Sequence, residues 1–421
     1  MSRRIGVDLS PLRRSREFRR LYGAGFITAF GAQATYVAVP FQLKELTHST
    51  VAVGLIGLFE FIPLVVFGLW GGVLADVVNR KRMIVSCEVA LCVMTVGLVA
   101  NARFAHPSVL ALYLLDVVAI SSASLQRASI ESLNQRLVDH ELQRQAAALM
   151  GLRYNLTSIA GPALAGLVAA TAGPVWVYAG NTVTYLVSLA LLAGLAPTAP
   201  GGGDGQSQRH ALRDGLRYAR QRPDILGSYL VDLLAMVLAF PVIMLPFVAA
   251  HFHESYALSA LYCGLPIGAL IGTFTSGWTH RVSRYGRFIA GAAALWGIGV
   301  SVFGGASTLW LAVAGLALAG LADQISALFR QSFWNESIDP DVRGRMAGLE
   351  FISYALGPTA GQFRAGVTAA WLGLRASLVV SGLTCAGSTL AAGRAVAALW
   401  NFDRRTDPNV AHVARRRSEP V

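Results

Sequence analysis

GGVLADVVNRKR, residues 71–82, ends one long apolar run and leads into another. A glycine, then an acid at the end of the apolar run, then three consecutive bases is the pattern of a turn at a membrane face. Gly72 lets a neighbouring helix come close, as small residues do inside membranes. Asp76 is expected at a helix end facing the cytoplasm. There it can meet Arg80 one turn on, or the positive N-terminus of another helix. Arg80, Lys81 and Arg82 keep the turn on the cytoplasmic side. An acid so placed is a latch that joins inner helix ends and breaks when the helices rock; the plainer alternative is that acid and bases only anchor the topology.

Outward from this turn the chain holds twelve apolar runs, at 21–43, 51–75, 83–102, 108–129, 146–171, 174–196, 225–250, 256–279, 288–306, 308–330, 346–371 and 375–399. A membrane helix needs roughly 20 mostly apolar residues, and residues 21–43 contain no Lys, Arg, Asp or Glu. Only the short stretch GGAST, residues 304–308, marks the boundary between the ninth run and the tenth. Of 421 residues, 54% are hydrophobic and 14% charged, against about 25% charged in a soluble domain. Mean hydropathy is +0.52. An ordinary soluble enzyme is excluded. The first run is too long for the apolar core of a cleaved leader, and four cysteines in so long a chain are no disulfide framework.

The bases alternate between loops. Arg3, Arg4, Arg13, Arg14, Arg16, Arg19 and Arg20 precede the first run, and Arg80–Arg82, Arg136 with Arg144, Arg209–Arg222, Arg281–Arg287, Arg343 with Arg345, and Arg404–Arg417 follow every second one. Basic loops stay cytoplasmic, so both termini are expected inside. The net charge of +12 is then a topology signal. Nucleic-acid binding would gather that charge on one folded face.

Residues 197–224 are the longest interior hydrophilic stretch. Their first part is Gly-rich; their second places Leu212, Leu216 and Ala219 on one helical face, which predicts a short amphipathic helix on the inner leaflet. The expected organisation is an N-terminal segment 1–20, a six-helix half 21–196, the central loop 197–224, a second six-helix half 225–400 and a tail 401–421. The halves echo each other. GPALAG at 161–166 recurs as GPTAG at 357–361, and the basic turn near Arg80 recurs near Arg284. The later copy, GWTHRVSRYGR at 277–287, has His280 near the place of the acid.

Residues 71–82 resemble the signature of the major facilitator superfamily in its loop between spans 2 and 3. Gly72, Leu74, Ala75, Asp76, Arg80, Lys81 and Arg82 match; Val77 and Asn79 depart, standing where the family usually has a base and a glycine. Asn tolerates left-handed backbone, so the turn is expected to survive. GPALAG resembles the superfamily's exporter motif: Pro162 bends the helix while Gly161 and Gly166 allow tight packing. AVPFQLKELTHSTVAVGL at 38–55, LRDGLRYARQRPDILG at 212–227, LPIGALIGTFTSG at 265–277 and RGRMAGL at 343–349 are similar to the bacterial enterobactin exporter subfamily. The resemblance implies an all-α membrane protein of twelve transmembrane helices in two six-helix pseudo-repeats. It implies proton-coupled efflux of a siderophore or similar small molecule by alternating access, as a monomer in the bacterial inner membrane. Macrolide and multidrug efflux is the alternative within the superfamily.

An ionisable residue at mid-bilayer costs roughly 2.5–3.5 kcal/mol on insertion scales, so each needs a reason. The candidates are Glu60, Asp116, Arg153, Asp232 and Asp323. In the family's fold spans 1, 4, 7 and 10 line the central cavity. Asp116, Asp232 and Asp323 lie on three of these, and span 1 adds Gln33 and Tyr36. Asp116 is read as deepest, Asp232 and Asp323 as nearer the inner boundary. Arg153 and Asn155 lie on span 5; a cation there suits a polyphenolic or anionic ligand. Arg127, Glu131 and Arg144 are read as partners of the latch or as interfacial charges, and Glu88 and Glu350 as interfacial. No Walker lysine loop occurs, no cofactor is implied, and Cys87, Cys92, Cys263 and Cys385 are read as packed thiols without metal-ligand spacing. A membrane-embedded acyltransferase would need a compact nucleophile–base site, which the sequence lacks.

Overall fold

The computed structural model describes residues 8–195 and 215–418, with side chains described outside 69, 71–77, 128, 135, 340, 341, 344, 345, 347–354 and 418. Among the described residues every element is helical. After a short α1 (Ser10–Arg14), the long helices of the first half are α2 (Arg16–Thr47), α3 (Thr50–Val77), α4 (Arg80–Arg103), α5 (Val109–Arg136), α6 (Gln143–Thr171) and α7 (Pro174–Ala193). Those of the second half begin with α8 (Pro223–Ala239), carried on by a 3₁₀ turn and α9 (Leu245–Ala249) as one span. Then come α10 (Ala257–Phe274), α11 (Tyr285–Gly305), α12 (Leu309–Ser337), α13 (Pro340–Leu372), α14 (Leu374–Ala395) and the short α15 (Ala397–Trp400), with α16 (Pro408–Ser418) in the tail. Ten spans are long and apolar enough to cross a membrane on their described residues; α6 and α13 complete the twelve.

Local chemistry sets where these helices start. Ser15 Oγ accepts from the backbone N–H of Phe18 at 3.1 Å, and Ser108 Oγ from that of Ala111 at 3.3 Å. Each satisfies an amide that a helix start leaves unpaired. The turns before α7 and α14 share one device: Gly173 at φ +92° and Gly373 at φ +81°, left-handed positions that glycine occupies without steric cost. Their spacing of 373 − 173 = 200 residues falls between those of the two sequence echoes, 357 − 161 = 196 and 284 − 80 = 204. The backbone thus carries a third landmark of the duplication.

The chain divides into two compact units, residues 1–48 with 62–205, and 49–61 with 206–421. In the first, α2 packs on α6 and α7, and α4 on α5 and α7. In the second, α8 packs on α13 and α14, and α11 on α12 and α14. Counted as spans, 1 on 5 and 6 becomes 7 on 11 and 12, so one packing scheme is used twice. The start of α3 joins the second unit because it lies along α13, where Thr50 Oγ1 donates to the carbonyl of Gly366 at 3.0 Å. The second unit's core is rich in rings, with Phe333 edge-on to Phe402 at 4.7 Å between centroids.

Two expectations are corrected. Asn79 stands at φ −60°, not left-handed: its side chain accepts from the backbone N–H of Arg82 at 3.2 Å and caps α4. The turn therefore needs neither glycine nor its substitute. In the central loop, Leu212 and Arg213 lie outside the described residues, and residues 215–220 are helical. Ala219 is fully buried in the second unit's core while Leu216 is exposed, so these two do not share one lipid-facing stripe.

Candidate functional site

The basic turn joins α3 to α4. The side chains of Gly72 and Asp76 lie outside the described residues, so the latch itself is not seen. Arg80 is buried at the start of α4, and Arg82 is exposed. Lys81 reaches the far end of α7, donating from Nζ to the carbonyls of Ala193 (3.2 Å) and Leu195. Arg20 of α2 donates to the neighbouring Gly194 carbonyl. Two cations thus satisfy the orphan carbonyls and the negative end of one helix. On α5, Arg127 Nε lies 3.2 Å from Glu131 Oε1, both exposed and one helical turn apart.

Within the first unit, α6 meets α2 at the exporter-like motif. Gly161, Pro162 and Gly166 are all buried. A Cβ at Gly161 would lie 2.8 Å from Gln33 Cβ and 3.2 Å from the Phe30 carbonyl, so the motif brings a predicted cavity residue against the bend. Its echo makes a similarly close helix approach in the second unit, where a Cβ at Gly357 would lie 2.6 Å from Met236 Cβ of α8. Arg153 is half-buried on α6, its guanidinium against Gly25 and near Tyr22 of α2. Tyr36 and Asn155 are half-buried.

A polar seam runs between α2 and α7. Tyr178 donates from its hydroxyl to Gln42 Oε1 at 2.8 Å and lies near Asp116, which is half-buried. Asn181 Nδ2 donates to Thr35 Oγ1 at 2.7 Å and its Oδ1 accepts from Thr184 at 2.8 Å. Glu88 of α4 adjoins this seam. It is 3% exposed, which corrects its reading as interfacial: it stands eight residues past Arg80, about 12 Å along the helix at 1.5 Å per residue.

Within the second unit, Asp232 of α8 is not a lone carboxylate near water. It is buried and ion-paired with Arg330 of α12. Asp323 is half-buried and has fourteen residues of α12 on either side, since the helix runs Leu309–Ser337. Asp116 has seven residues of α5 before it and twenty after. Asp323, not Asp116, is therefore the mid-helix acid. Glu60 is half-buried on α3. Arg364 of α13 donates from Nε to the Val237 carbonyl at 2.8 Å, and from its terminal nitrogen to Thr368 Oγ1 at 3.3 Å and Ser381 Oγ at 2.5 Å. At the mouth of α8, Arg222 grips Asp224 with two bonds of 3.0 and 2.7 Å and donates to the carbonyl of Ser337 at 2.9 Å, tying α8 to the end of α12.

Sequence reasoning missed Arg330 and Arg364 altogether, though both fall inside predicted runs, and a charge inside an apolar run was the available signal. The seam of Gln42, Tyr178, Asn181 and Thr35 had no such signal, because neutral polar residues are common in membrane helices. All four cysteines are free; three are buried and Cys263 is half-buried.

Known proteins agree with this architecture. The sequence profile of a family described as transmembrane secretion effector matches residues 7–416. The enterobactin exporter EntS of Citrobacter koseri is 32% identical over 388 residues, covering 89% of this chain and 91% of that protein. EntS of Shigella boydii is 32% identical over 355 residues, 82% and 83% of the two chains. Among solved structures, the POT family transporter PepTSo superposes with a TM-score of 0.72 at 14% identity, covering 93% of this chain and 99% of that one; at that identity the likeness speaks for the fold alone. The chain belongs to the transmembrane secretion effector family of the major facilitator superfamily: it is an enterobactin-exporter-like, multi-pass membrane transporter of twelve helices, not an enzyme.

Proposed function

We propose that this transporter expels a siderophore or a similar small molecule in exchange for protons, by alternating access, working as a monomer in the bacterial inner membrane with both termini inside. The observation that carries the substrate class is the likeness to enterobactin exporters over nearly the whole of both chains. Arg153, half-buried against α2 at Gly25, supplies a cation for a polyphenolic or anionic ligand; Gln33, Tyr36 and Asn155 are further polar candidates on the same two helices, Gln33 eight residues along α2 from Gly25, about 12 Å at 1.5 Å per residue. For drive, the carboxylates Asp116 and Asp323 are the coupling candidates on spans 4 and 10, with Glu60 on span 2. Protonation neutralises an acid and lowers the cost of carrying it through a dry environment. Asp232 already has Arg330, so its part is to exchange partners rather than to stand alone. Asp76 with Arg80, Arg127 and Glu131 forms the inner latch.

Inverted membrane vesicles test this reading. Enterobactin uptake should follow an imposed pH gradient and collapse with a protonophore while ATP is maintained. Uptake that follows ATP and ignores the gradient would sink the coupling. Transport of a macrolide with no enterobactin uptake would replace siderophore export by drug efflux.

A further inference from the structure

The seam between α4 and α7 holds an acid for which the pairs described above have no use. Glu88 is 3% exposed, and its Oε2 has no hydrogen-bond partner among the described residues. Ser188 and Tyr185 of α7 face it, at 0% and 3% exposure. Ser188 Oγ lies outside hydrogen-bond geometry and is likewise unpartnered. Beyond them, Tyr185 lies beside Asn181, which donates to Thr35 of α2 at 2.7 Å. Polar side chains therefore extend from Glu88 across α7 to α2, the helix that carries Gln33 and Tyr36.

The titratable groups around Glu88 are Cys87 and Cys92 on its own helix and Tyr185 on α7. The other helix packed on α4 is α5, whose ionisable side chains are Tyr113, Asp116, Arg127, Glu131 and Arg136. Among the described residues none of these pairs with Glu88, and no cation does. An ionised carboxylate here would have neither a counter-charge nor enough donors, the most costly state for a buried group. The neutral acid asks for one acceptor, and the Ser188 hydroxyl oxygen needs only a small side-chain adjustment to serve.

We infer that Glu88 is a proton-carrying group of the first unit, loaded in this conformation and unloaded when the packing of α4 on α7 opens. Loading forms the O–H bond on the carboxylate; unloading returns the same proton to water and restores the carboxylate, so no other reactant takes part. Opening must bring water or a cation to the carboxylate, and this ties the proton to a change in helix packing. The inference rests on the proton-exchange reading above.

The experiment uses the full chain in proteoliposomes with enterobactin as the probe. Glu88→Gln keeps the shape and polarity of the neutral acid but cannot release a proton. Gradient-driven accumulation should fall about tenfold or more, with normal insertion and melting, and Glu88→Asp should recover part of it. A group that only packs would behave oppositely, because glutamine packs as the neutral acid does: undiminished gradient-driven transport in Glu88→Gln overturns the inference. Infrared spectra add a readout independent of transport. The wild type at neutral pH should show a protonated-carboxyl band that Glu88→Gln lacks, and identical bands would overturn it. If the wild type itself ignores the gradient, the coupling reading fails, while the infrared band still decides whether Glu88 holds a proton. Should Glu88→Gln not reach the membrane, labelling of wild-type Glu88 by a hydrophobic carbodiimide, mapped by peptide mass, supports the proton; an unlabelled Glu88 overturns it.

Discussion

Pro241 has no backbone N–H to offer the carbonyl of Val237, four residues before it, and Arg364 makes good the loss with a 2.8 Å bond. That is how a cation lies inside α13 with no acid beside it among the described residues: the interrupted α8 provides a carbonyl, and Thr368 and Ser381 provide hydroxyl oxygens. Trp296 Nε1 serves the same break, donating to the Ala239 carbonyl at 3.1 Å. Asp232 and Arg330 follow the other rule, in which each buried charge justifies its partner. Removing one member of such a pair costs about 3–5 kcal/mol, because the survivor is left unpaired. Asp232→Asn is therefore expected to lower the melting temperature in detergent sharply, and Asp232→Asn with Arg330→Gln to recover much of it. A single variant as stable as the wild type, or a double variant worse than both, would show that the pair is not what holds these side chains. The charges themselves were legible in the sequence. Their partners were not, because partners arrive from helices about a hundred residues away.

The helix α6 shows what one motif does for an element. Pro162 loosens the helix and Gly161 removes the side chain that would keep it from α2. The motif is a seat for α2, repeated where Gly357 seats α8. Gly151, on the same helix, has open space where its Cβ would go. Alanine at the two positions should therefore act in opposite directions. Gly151→Ala should stabilise by about 0.5–1 kcal/mol through helix propensity, and Gly161→Ala should destabilise by about 1–3 kcal/mol through overpacking. Melting curves in one detergent check both; equal shifts would mean that α6 does not rest on α2 at this point. Read as part of a basic cluster, Lys81 is in the structure a cap for the last carbonyls of α7, shared with Arg20. Sequence shows a base at a turn; which helix end it serves depends on which neighbour folds alongside.

For the whole molecule, alternating basic loops predict twelve crossings with both ends inside. A membrane-impermeant maleimide on intact cells should label Glu45→Cys and Ser255→Cys but not Gln221→Cys or Thr406→Cys, all exposed positions. The native cysteines lie in spans, three of them buried, so they give a low background. Labelling of Gln221→Cys from outside would overturn the orientation. The tail that this topology leaves in the cytoplasm is docked on the second unit. Arg417 donates to the Asn335 carbonyl at 2.7 Å, Arg404 to the Tyr285 hydroxyl at 2.9 Å, and Phe402 and Val413 are buried. By itself the sequence determined the helical class, the number of spans, the duplication and the family, because each depends on local quantities: apolar run length, loop charge and the spacing of a short motif. Only the tertiary structure decided which acids are paired, which bases cap helices, that Asp323 is the mid-helix acid and that Glu88 is buried with no counter-charge among the described residues. Those facts depend on which faces of distant helices meet, and in a membrane, where nearly every face is apolar, the hydrophobic pattern of one helix does not say which neighbour it will choose.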